Sequence, residues 1–126
     1  MKSYSEQKRR KPDFAVRYRL ISQADGGRRR TFQHLRCDFM YEGDKPEQGI
    51  YCIHPEFLDS NNIPVEENIE IDLEGRATMW ILFNEMRDFH RKKISEGTRG
   101  YFMEGSRKIG SLVVEEILGL NDDFSN

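Results

Sequence analysis

Apolar residues alternate with polar ones over FAVRYRLIS (14–22), where Phe14, Val16, Tyr18 and Leu20 share one side and Arg17 and Arg19 the other. A period of two is the signature of a half-buried strand. QADGGRRR follows, and its Asp-Gly-Gly tolerates positive φ, so the pattern predicts a hairpin loop. A second strand, TFQHLRCDFMY (31–41), then returns. Its two faces carry Phe32, His34, Arg36, Asp38 and Met40 on one side and Leu35, Cys37, Phe39 and Tyr41 on the other. GIYCIHPEF (49–57) reads as a short strand stopped at Pro55, and IEIDLEG (69–75) as a strand with Ile69, Ile71 and Leu73 inward. RATMWILF (76–83) is apolar enough for burial on both faces. Residues 84–97 suit one or two helical turns, since good helix formers surround Met86 and Phe89.

TRGYFMEG and SRKIGSLVVEEIL face each other across Gly105-Ser106, a strong hairpin signal. Short strands at intervals of roughly 8–12 residues predict a small all-β barrel or sandwich, and closing the sheet removes its edges. The expected core comprises Phe14, Val16, Tyr18, Leu20, Leu35, Phe39, Ile69, Ile71, Leu73, Trp80, Leu82, Phe102, Leu112 and Val114. A one-residue slip of register would exchange the faces of any of these strands.

With 126 residues there is room for one domain. The ends hold too little apolar surface to offset ordering, which predicts a flexible basic tail over 1–12, a barrel over 13–119 and a flexible acidic tail over 120–126. Residues 1–36 carry eleven Lys and Arg against three acidic residues, while the chain as a whole is at −2. The remainder is therefore acidic, and such polarity attracts anionic partners at one end only where the fold clusters the charges. No stretch approaches the roughly 20 apolar residues of a membrane span, and no apolar h-region follows the basic start. Cys37 and Cys52 lack paired spacing, so a reducing, cytoplasmic setting with free thiols is expected.

Two hairpins resemble a known family. Within residues 90–118, His90, Gly97, Arg99, Glu104, Gly105, Arg107, Gly110, Val113 and Val114 match, without a gap, the closing hairpin of the third domain of elongation factor Tu. Asp25-Gly26-Gly27-Arg28 resembles that domain's Glu-Gly-Gly-Arg turn, and Phe32, Arg36 and Phe39 fall on its following strand. The resemblance covers about 14–41 and 90–118. It departs where the family's His-Pro-Ile becomes His90-Arg91-Lys92, where a Gln becomes Asp38, and where the span 69–90 is longer. It implies a closed Greek-key-type barrel of six or seven strands. In that family the Gly-Gly-Arg side lies against the transfer RNA backbone, which would place Arg28 and Arg29 on RNA with Arg36, Gly105 and Arg107 as further RNA- or partner-binding positions. The domain also packs on other protein domains, so a stand-alone relative is expected to bind protein first and RNA as the alternative.

Catalytic chemistry is not expected. There is no phosphate-cradling Gly-x-x-x-x-Gly-Lys-Ser/Thr loop, which argues against nucleotide hydrolysis. His34, His54 and His90 have no zinc-type spacing, so they read as structural or surface residues, with no metal and no cofactor implied. A Cys–His nucleophile pair involving Cys37 or Cys52 has no supporting elbow motif. Glu66-Glu67 and Glu115-Glu116 are neighbours that a strand would turn to opposite faces.

Overall fold

The computed structural model describes residues 10–28 and 30–122. Six strands form one antiparallel sheet: β1 (Phe14–Leu20), β2 (Asp38–Tyr41), β3 (Ile53–Leu58), β4 (Glu74–Ile81), β5 (Arg99–Glu104) and β6 (Arg107–Ile117). Their spatial order is β2-β5-β6-β1-β4-β3. A 3₁₀ turn at Asn84–Met86 runs into the short helix α1 (Arg87–Arg91), in the segment where helical turns are expected.

Alternation is obeyed most cleanly on the central strand. Phe14, Val16, Tyr18 and Leu20 are buried on the inner face while Arg17 and Arg19 are exposed. Ala77, Met79 and Ile81 of β4, Phe102 of β5 and Leu112 and Val114 of β6 complete the inner face with Phe39 and Phe57. Tyr18, Phe57 and Phe102 pack edge-on or tilted, with ring centroids 5.1–6.1 Å apart. Residues 76–83 are buried on both sides only over Met79–Ile81, since Phe83 is 52% exposed; Trp80 is 1% exposed yet stands outside that inner cluster. The Arg10 guanidinium lies over its ring at 5.4 Å.

Two irregularities in β6 curl the sheet. Its pairing with β1 shifts between Ala15 and Val16, leaving Glu115 unopposed, and its pairing with β5 shifts between Phe102 and Met103, leaving Ile109 unopposed. An extra residue on one strand bends it and increases its twist. The curl produces a half-barrel, not the closed barrel expected from the sequence. Among the described residues, the backbone pairing between the free edges is the single bridge of Phe39 in β2 with Tyr51 just before β3, which exchange N–H···O bonds of 2.9 and 2.8 Å.

The expected first hairpin is also overturned. Both sides of β1 are occupied, by β4 and β6, so β2 cannot pair with it and joins β5 instead. Residues 31–37 form no strand beyond a single bridge from Phe32 to Glu70. Residues 69–73 likewise stay outside β4, leaving Ile69 and Leu73 more than half exposed, with only Ile71 buried. Leu35 and Leu82 are half-buried. Pro55 does not stop β3 but sits inside it, opposite Met79. An edge strand tolerates proline because its outward N–H has no ladder partner to lose.

The ends dock tightly where they are described. Gly119 N–H donates to the Pro12 carbonyl at 2.8 Å, and Leu120 is 1% exposed. Residues 1–9 and 123–126, the bulk of the two expected tails, lie outside the described residues.

Candidate functional site

Three of the five residues singled out from the sequence come together at the β5–β6 turn. The two-residue loop Gly105-Ser106 joins Glu104 to Arg107, and Gly105 has φ +59°. Glycine with positive φ at the first loop position matches the twist of the flanking strands. The turn holds Arg107 Nη2 at 2.6 Å from Glu104 Oε1. From the other side Arg28 donates to Glu104 Oε2. Arg28 gets there because Gly27 lies against the chain: a Cβ on it would sit 1.8 Å from the Ile21 carbonyl oxygen.

Burial raises the Glu104 carboxyl, but hydrogen bonds and charge from Arg28 and Arg107 outweigh it and hold the group below its ordinary value. Glu104 is thus an anion clamped between two cations. With Gly27, Arg30 and Phe32 these residues line an open groove of about 670 Å³. Arg30 stacks over Phe32 at 5.0 Å and lies 3.9 Å from Glu70. Arg36 is exposed and does not line the groove, and Arg29 lies outside the described residues.

A second surface escaped the sequence reading. The β3–β4 connection presents Ile63, Ile69 and Leu73 at 57%, 56% and 53% exposure. Ile63 and Ile69 border a cavity of about 240 Å³ with Val65, Glu66 and Asp72, and Leu73 borders one of about 470 Å³ with Leu20 and Ile21. Asp59, Glu66, Glu67, Glu70, Asp72 and Glu74 are all exposed along the same stretch. Only Glu70 and Glu74 have arginine partners among the described residues, Arg30 and Arg19. The sequence signal was present in the acidic run; taking 69–75 as a strand hid it.

The interior also holds chemistry that spacing did not reveal. Asp13 and Arg87 form a buried ion pair at 2.7 Å, tied to Arg10 at 3.1 Å and to the Gly119 and Leu120 carbonyls at 2.8 and 2.9 Å. His90 Nδ1 is 2.6 Å from the Tyr41 hydroxyl. Burial, with the nearby Lys93 ammonium, pushes His90 down to about 4, so it is neutral at pH 7. Cys37 is buried, and burial pushes its thiol up to about 12, which makes it a poor nucleophile. Cys52, just before β3, and His54 within it meet Asp38 across the sheet's edges.

Comparison of the chain with known family models and with curated proteins returns no match. No helix among the described residues is long and apolar enough to cross a membrane.

Proposed function

We propose that this chain is a non-catalytic protein-binding module whose contact surface is the β3–β4 connection. The carrying observation is the exposure of Ile63, Ile69 and Leu73 amid six exposed carboxylates. Apolar side chains ringed by like charge suit a partner segment that is basic and carries its own apolar anchors. Burying the aliphatics supplies affinity, while the carboxylates steer the encounter and set specificity.

Kinship with the third domain of elongation factor Tu belongs to this proposal. It draws support from the left-handed turn at Gly105 and the crowded Gly27, both at positions where the resemblance is strongest. A cytoplasmic setting fits the two free thiols.

The test is capture from a nuclease-treated lysate by the full chain and by Ile69→Asp and Leu73→Asp. The expected result is a stoichiometric partner that both variants lose while their melting temperatures stay unchanged. Equal capture by the variants would sink the reading.

RNA is the second reading, carried by the groove. Arg28, Arg30 and Arg107 converge there, and phosphate contacts by arginine need no base sequence. Clamped Glu104 and nearby Glu70 offset much of that charge, which is why protein ranks first. Failure to shift a tRNA pool at about 50 mM salt, where phosphate binding is strong, eliminates RNA.

A further inference from the structure

The narrow contact between the sheet's free edges assembles a donor set that neither edge owns alone. Phe39 and Tyr51 pair antiparallel, with Phe39 in the core and Tyr51 packed against it. Their neighbours Asp38 and Cys52 therefore stand opposite one another on the outer face. His54, two residues beyond Cys52, shares that face. The result is a carboxylate, a thiol and an imidazole whose ligand atoms all lie within 4.8 Å of one another. His54 Nε2 is 2.8 Å from Asp38 Oδ1.

We propose that Asp38, Cys52 and His54 bind a divalent, thiolate-tolerant transition ion of the zinc class across this seam. Zinc bonds of about 2.0–2.3 Å to N, O and S place tetrahedral donors roughly 3.3–3.8 Å apart. To reach that spacing, the His54–Asp38 pair must open from 2.8 Å and the wider separations, none above 4.8 Å, must close. Donor type excludes magnesium and calcium, which take all-oxygen shells, whereas thiolate with imidazole suits zinc. His54 is 5% exposed and held by its strand, while the Asp38 side chain is 26% exposed, so an ion enters from the carboxylate side. Three protein ligands leave a fourth position for water or an incoming ligand. The ion fastens β2 to β3 where backbone pairing across the half-barrel's seam is a single bridge among the described residues.

Cobalt(II) is the spectroscopic probe, added to the reduced, chelator-stripped full chain. The expected result is a thiolate-to-cobalt charge-transfer band that saturates at one equivalent and is bleached by zinc. Cys37→Ser keeps the band, because Cys37 is buried in the core. Cys52→Ser loses it. His54→Gln and Asp38→Asn each weaken apparent affinity by at least about tenfold, the smallest loss typical even of outer-sphere changes. An arm without variants covers misfolding: zinc slows iodoacetamide alkylation of Cys52, mapped by peptide mass, in the wild-type chain. A cluster serving only as a hydrogen-bonded clasp gives no band and unaltered alkylation. Either of these, or a band that survives Cys52→Ser, overturns the proposal.

Discussion

Asp13 and Arg87 meet at 2.7 Å inside the protein, the carboxylate 0% and the guanidinium 4% exposed, although 74 residues separate them. Asp13 also accepts the Ile81 N–H at 2.7 Å, and Arg87 donates to the Gly119, Leu120 and Asp122 carbonyls of the C-terminal segment. One ion pair therefore ties the start of β1, the end of β4, α1 and the C-terminus together.

Removing one partner strands a buried charge. Asp13→Ala is expected to cost about 3–5 kcal/mol, and the double variant Asp13→Leu, Arg87→Met should recover part of that loss. Chemical denaturation of the two singles and the double, read as a mutant cycle, measures it. Independent losses that simply add would contradict a coupled pair.

Folding depends on pH through His90. Its folded value of about 4 lies below the ordinary 6.5, so the unfolded chain binds more protons between those limits. The contribution of neutral His90 is complete above about pH 6.5 and is lost as the pH falls through about 4. The groups facing the ring are the Tyr41 hydroxyl, the Tyr51 and Phe89 rings and the Lys93 ammonium. Replacing His90 with Gln should flatten the slope of stability between pH 6.5 and 4. An unchanged slope would show that other groups carry it.

Two glycines are required for different reasons, and alanine separates them. At Gly105 a Cβ meets nothing within 4 Å, so Gly105→Ala carries only the left-handed penalty of about 1–2 kcal/mol, and Gly105→Asn less. At Gly27 the same Cβ would overlap backbone, and nothing flexible can give way. Thermal melts should therefore rank Gly27→Ala well below Gly105→Ala.

Glu104→Gln removes the anion shared by Arg28 and Arg107. Both arginines are partly exposed, so stability should change by about 1 kcal/mol or less. Polyanion affinity, read by heparin retention, should rise. Unchanged retention would show that the groove does not face polyanions.

The β5–β6 hairpin was legible because its signals are local. Alternation, a glycine at the turn and an apolar return all lie within twenty residues. The inner faces of β1 and β6 followed from the same period of two, whereas on β4 the parity is the reverse of that expected, with Ala77, Met79 and Ile81 inward and Trp80 on the other face. The misreadings share one cause, which is that local alternation does not name a strand's partner. Phe14–Leu20 and Asp38–Tyr41 resemble hairpin arms, yet β1 already has two neighbours. Ile69, Ile71 and Leu73 alternate well, but they lie outside the strands and Ile69 and Leu73 stay exposed.

What this sequence determined unaided is therefore the all-β class, the approximate places of β1, β4, β5 and β6, the glycine turn at Gly105 and the inner faces of β1 and β6, because those depend on near neighbours and backbone sterics. Strand order, the exposed aliphatic loop, the Asp13–Arg87 pair and the meeting of Asp38 with Cys52 and His54 were decided only by the tertiary structure. Each arises from pairing between residues distant in the chain. Such pairing is selected by collective burial and the curl of the whole sheet, and no local pattern records it.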